Sequence, residues 1–92
     1  MIKSKEHVVW RQKADLLVVL DTESGCYFTL NATAMALWLG MVEGGATLEE
    51  AVERIASRYP EAPARERVEG DCRRMLTEWR EAGLVEEAPA AR

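Results

Sequence analysis

The hydrophobic period of this chain changes once, at Asn31, and that change limits what it can fold into. Before it, apolar residues come in short branched or alternating runs suited to strands: Val8 to Trp10, Leu16-Leu17-Val18-Val19-Leu20 and Cys26-Tyr27-Phe28-Thr29-Leu30. After it they recur every three or four residues, the spacing of helices. The connections Gln12-Lys13-Ala14-Asp15 and Asp21-Thr22-Glu23-Ser24-Gly25 are short, so the three strands are expected as an antiparallel meander with Leu16 to Leu20 in the centre.

Three helices are expected to follow. Asn31 is a good N-cap for a first helix over Ala32 to Val42, apolar almost all round and stopped by Glu43-Gly44-Gly45. Thr47-Leu48-Glu49-Glu50 is a capping box, and it opens a second helix whose stripe is Leu48, Ala51, Val52, Ile55, Ala56 and Tyr59. Pro60-Glu61-Ala62-Pro63 breaks that pattern, because neither proline can donate a backbone hydrogen bond. A third helix beginning near Ala64 places Val68, Cys72, Met75, Leu76 and Trp79 on one face and ends at Gly83. Leu84 and Val85 are expected to fold back onto the core. The reading is one α+β domain over residues 1–85, winged-helix-like, a three-stranded antiparallel sheet followed by three helices, with 86–92 as a flexible tail.

Composition narrows the function. At 92 residues the chain can bury only roughly 60 to 65% of its unfolded surface, which leaves little room for an enzymatic cleft. A net charge of −4 argues against nucleic acid, whose binding is driven by Lys and Arg displacing phosphate counterions. No apolar run approaches the roughly 20 residues that span a bilayer, and the start is polar, so a cytoplasmic protein without a membrane partner is expected. Cys26 and Cys72 are then expected as reduced, half-buried small residues.

Catalytic groups are not in evidence. The single histidine, His7, lacks a motif; the cysteines lack a CxxC or Cys-x-x-His spacing; and Gly44-Gly45 lacks the pattern of a phosphate loop. No catalytic residue, metal or cofactor is expected. What stands out is an edge: within Cys26 to Leu30 there is no Lys, Glu or Pro to discourage another strand from pairing. Such an edge beside an amphipathic helix suits β-augmentation by a peptide. Projected at about 100° per residue, Arg65, Arg73 and Arg80 lie along one flank of the third helix with Glu69 among them, while the other flank mixes Arg67, Asp71, Arg74 and Glu78. The basic flank could receive acidic peptide residues. From periodicity alone, a stripe such as Val68, Cys72, Met75, Leu76 and Trp79 more often simply completes the core.

The run Glu23-Ser24-Gly25-Cys26-Tyr27-Phe28-Thr29-Leu30-Asn31-Ala32-Thr33-Ala34, followed by Leu37-Trp38, the capped helix at Thr47 and the ending Glu81-Ala82-Gly83-Leu84, resembles the PqqD-like family, the RiPP precursor peptide recognition elements. The resemblance covers roughly residues 5 to 85. It implies a non-catalytic, winged-helix-like recognition protein that binds the leader segment of a ribosomally made precursor as an extra strand, with the third helix closing the groove. Carried over by position, the peptide contacts fall on Cys26, Tyr27, Phe28, Thr29 and Leu30, and on Arg65, Val68, Glu69, Cys72, Arg73, Met75, Leu76, Trp79 and Arg80. Members serving pyrroloquinoline quinone synthesis carry a Pro-Glu segment where this chain has Leu20-Asp21-Thr22-Glu23-Ser24-Gly25. The Glu-Ser-Gly-x-Tyr turn looks more like the free-standing recognition proteins of lasso peptide clusters, whose implied partners are a leader peptidase and a macrolactam synthetase. The alternatives are a quinone-pathway peptide chaperone and a winged-helix DNA-binding protein. The second is weakened by a third helix holding five Arg against four Glu and one Asp.

Overall fold

The computed structural model describes residues 2–58 and 65–87. The expectations for Tyr59, the Pro60 to Pro63 break, Ala64 and the tail beyond residue 87 lie outside them. The elements in chain order are β1 (Ile2–Ser4), β2 (Val8–Lys13), β3 (Leu16–Asp21), β4 (Tyr27–Leu30), α1 (Ala32–Trp38) with a π-helical turn (Leu39–Glu43), α2 (Leu48–Arg58), α3 (Arg65–Glu81) and β5 (Val85–Glu87). The meander is present as an antiparallel sheet of order β2-β3-β4. With its three helices the molecule is an α+β fold of winged-helix-like architecture.

The first connection is shorter than expected, because β2 runs on to Lys13 and leaves only Ala14-Asp15 as the turn. Ala14 sits at φ +56, a left-handed conformation that costs an L residue roughly 1–2 kcal/mol. Ala14→Gly is therefore expected to raise stability by roughly 0.5–1 kcal/mol, after the extra entropy of glycine in the unfolded chain is deducted. A melting midpoint that failed to rise by at least about 2 °C would contradict this.

The β3–β4 connection closes as a bulged hairpin. Gly25 (φ +81) donates to the Asp21 carbonyl at 2.8 Å and Asp21 donates to the Cys26 carbonyl at 2.9 Å, so two residues of one strand face one of the other. Asp21 Oδ1 also accepts from the Glu23 and Ser24 amides at 2.9 and 3.3 Å. Burial works against ionisation of that carboxyl, but these amides, the Ser24 hydroxyl and nearby His7 prevail and hold its pKa below the usual value. Thr22 ties the same loop to the entry of β2, its amide and hydroxyl both donating to the His7 carbonyl at 2.9 and 2.7 Å.

The helix signals are realised atom by atom. Asn31 Oδ1 accepts from the Ala34 amide at 3.0 Å. Thr47 and Glu50 exchange hydrogen bonds at 2.9 and 3.1 Å. At the end of α3, Gly83 (φ +78) donates to the Arg80 carbonyl and Leu84 to that of Trp79, a paired bonding that turns the chain back toward the core.

What the sequence reading lacked is a second sheet. β1 and β5 pair antiparallel, Ile2 opposite Glu87 and Ser4 opposite Val85. Leu84 and Val85 are buried as expected, but strand pairing continues through Glu86 and Glu87, two residues into the stretch expected as tail. Lys3 and Glu86 reinforce it with an ion pair at 3.6 Å.

Leu17 and Val19 on the inner face of the sheet meet Leu37 and Trp38 of α1, Val52 and Ile55 of α2, and Val68, Cys72, Leu76 and Trp79 of α3 in one core. At its centre the fully buried Trp38 ring makes edge contacts with Trp10 at 6.4 Å and Trp79 at 5.2 Å, joining sheet to helices. Among the described residues no helix is long and apolar enough to cross a membrane.

Candidate functional site

Among the described residues β4 pairs with β3 alone, so its other edge carries main chain that no described strand pairs. The ladder's alternation identifies which groups these are. Asp21 bonds toward β4 and Thr22 toward β2, so Val19 and Leu17 exchange hydrogen bonds with Phe28 and Leu30, their register partners. The intervening residues, Tyr27 and Thr29, aim their N–H and C=O groups outward. The edge thus offers two donors and two acceptors, placed by the bulged loop that leads into it.

The side chains alternate with the same parity. Leu30 lies opposite Leu17 and is buried. Phe28 lies opposite buried Val19, and so on the inner face, yet it is 36% exposed. An aromatic ring that faces the core side and still meets water marks where the cover over the sheet ends. Tyr27, on the outer face, is 70% exposed.

The residues expected on α3 divide into two sets. Val68, Cys72, Leu76 and Trp79 are buried in the core, and Met75 packs partly exposed at its margin. Arg65, Arg73 and Arg80 are exposed but engaged. Arg65 Nε donates to Glu53 Oε2 of α2 at 3.3 Å, Arg73 Nη2 donates to Glu69 Oε2 at 2.7 Å, and Arg80 Nη2 donates to Glu87 Oε2 of β5 at 2.8 Å. The Arg73 hydrogen bond is the main cause that holds the Glu69 carboxyl below its usual pKa. The expected basic flank is therefore the one beside α2 and β5. The opposite flank, bordered by Met75, carries Arg67 and the cluster in which Arg74 reaches Asp71 at 3.1 Å and Glu78 at 3.9 Å. Sequence projection separated the two flanks but held no sign of which one α2 occupies.

The cysteines are not both half-buried. Cys26 is exposed beside the start of β4, and Cys72 is completely enclosed. The difference follows from position, Cys26 in the bulge of an edge strand and Cys72 in the middle of a core stripe. Burial, with Asp71 adding to it, pushes the Cys72 thiol up, which keeps it in the un-ionised, weakly nucleophilic form. Among the described residues no group of His, Cys, Asp and Glu side chains is placed to hold a metal ion.

No match was found among curated protein sequences. Two solved structures share the architecture. One is TbiB1 in complex with the TbiA(beta) leader peptide, at 31% identity and a TM-score of 0.82, covering 96% of this chain and 99% of that one. The other is lasso peptide synthetase B1 complexed with the leader peptide, which at 23% identity speaks for the fold alone: TM-score 0.83, covering 94% and 98%. The model of the family described as coenzyme PQQ synthesis protein D matches residues 17–85, from the central strand of the sheet to the first residue of β5, and the chain belongs to this PqqD family.

Proposed function

We propose that this chain is a non-catalytic recognition protein of a lasso peptide pathway. It binds the leader segment of a ribosomally made precursor as an added strand on β4 and delivers it to a leader peptidase and a macrolactam synthetase. The observation that carries the reading is the unpaired edge at Tyr27 and Thr29 beside the half-exposed Phe28. Main-chain hydrogen bonds there supply attachment, and an apolar leader side chain entering beside Phe28 and Met75 supplies selectivity. The leader peptide bound in the TbiB1 structure supports this reading. The contribution to the pathway is affinity and local concentration, without lowering a chemical barrier.

The helix contacts belong to the flank away from α2, on Met75, Arg67, Asp71, Arg74 and Glu78, rather than to Arg65, paired with Glu53 of α2, Arg80, paired with Glu87 of β5, and Arg73, paired with Glu69 on α3 itself. Core residues Val68, Cys72, Leu76 and Trp79 act by holding that flank in place.

Titration of the labelled protein with the leader peptide encoded beside its gene, followed by amide NMR, tests the proposal. Saturable shifts at residues 26–30 and at 67, 71, 74, 75 and 78 are expected. Shifts confined to 65, 73 and 80 would move the groove to the other flank. No shift with any neighbouring precursor would defeat the reading. The family's description as a coenzyme PQQ synthesis protein favours the quinone pathway as second reading. Saturable binding of a quinone precursor peptide in place of a lasso leader would establish it.

A further inference from the structure

Three of the four large apolar side chains that the described structure leaves exposed lie on the face of the sheet turned away from the helices. They are Val9 (51%), Leu16 (43%) and Tyr27. The register puts Val18 and Leu20 on the same face, since Leu17 and Val19 point inward. A shallow hollow of about 340 Å³ runs across it, lined by Val9, Trp10, Arg11, Lys13, Val18 and Leu20. Lone surface hydrophobics need no explanation, but a contiguous set of five on one sheet face does.

The charge on this face is also distinctive. The protein carries net −4, yet the outward positions of the three strands hold Arg11 and Lys13 and no carboxylate. Among the described residues four of the seven helical arginines, 65, 73, 74 and 80, have carboxylate partners. Neither Arg11 nor Lys13 has one among the described residues. A second copy docked face to face would bring two such cationic sets together with nothing to neutralise them, which argues against self-association.

We infer that the outward face of the β2-β3-β4 sheet is a docking surface for a folded protein partner whose contact surface is apolar and rimmed with carboxylates. The surface is distinct from the peptide edge but continuous with it through Tyr27. The inference rests on the proposed function in its choice of probes, the leader peptidase and the macrolactam synthetase of the pathway.

The test measures binding of each purified enzyme to the full chain and to two variants, Leu16→Glu with Arg11→Glu, and Lys13→Glu alone, with leader-peptide affinity measured in parallel. The expected result is that at least one enzyme binds the unaltered chain. The double variant weakens that binding tenfold or more, Lys13→Glu and added salt weaken it less, and leader affinity stays unchanged in both variants. Unchanged leader affinity also shows that the variants are folded and separates this surface from the peptide edge. The inference is overturned if both enzymes bind the double variant as tightly as the unaltered chain, or if neither binds at all. It is overturned equally if the unaltered chain sediments as a dimer that the double variant dissolves.

Discussion

Thr29→Pro is expected to weaken leader-peptide binding roughly 10- to 100-fold while leaving the melting midpoint within a few degrees of the unaltered protein. The asymmetry comes from the ladder. Thr29 aims its N–H away from β3, so a proline there removes no bond of the existing sheet, and edge strands tolerate proline where the missing donor would face solvent. An added strand loses that donor, meets the pyrrolidine ring, and buries an acceptor that finds no partner, at about 1–3 kcal/mol. Phe28→Pro is the counterpart. Its N–H belongs to the pairing with Val19, so it should lower the melting midpoint as well as the affinity. Calorimetric titration with thermal melts of both variants checks the pair. Thr29→Pro binding leader peptide as well as the unaltered chain would remove β4 from the site.

Trp38→Ala is expected to cost about 3–5 kcal/mol, a large share of the roughly 5–14 kcal/mol that holds a domain of this size folded. Trp38 is fully buried at the meeting point of Trp10 and Trp79, so its loss opens a cavity that sheet and helices both line. Trp38→Phe should cost far less than the missing indole volume suggests. Among the described residues the buried Trp38 indole N–H has no hydrogen-bond partner, and phenylalanine removes that donor along with the atoms. Urea unfolding of the two variants separates the effects. Both variants remove the N–H, so the deciding quantity is the Phe cost itself, and a Trp38→Phe cost of about 3 kcal/mol or more would mean that the donor has a partner.

Local chemistry made the element order legible in the sequence. The Asn31 cap, the Thr47 and Glu50 exchange and the Gly83 terminus each depend on residues within five positions of one another, and each forms as the sequence predicts. The same holds for the edge strand, because the shortness of the two connections imposes strand order. β1 and β5 escaped detection because each is three residues long and is defined only by a partner more than eighty positions away. The division of α3 into a flank beside α2 and β5 and the flank opposite escaped for a related reason. It is decided by contacts such as Arg65 with Glu53, across a helix connection whose course periodicity does not encode. The outer sheet face could have been read. Val9, Leu16, Val18 and Leu20 follow from period two once Leu17 and Val19 are set inward, but branched aliphatics on both faces of β3 resemble a strand buried on both sides.

The pairing of β1 with β5 has a mechanical side. Ile2 stands directly opposite Glu87, so tension applied through the two ends of the described chain falls on that pair first, then on Lys3 with Glu86, then on Ser4 with Val85. Bonds loaded one after another peel at low force, whereas bonds loaded together resist in parallel. The small sheet would act as a zip that yields while β2, β3 and β4, which lie outside the line of pull until it has opened, keep their register.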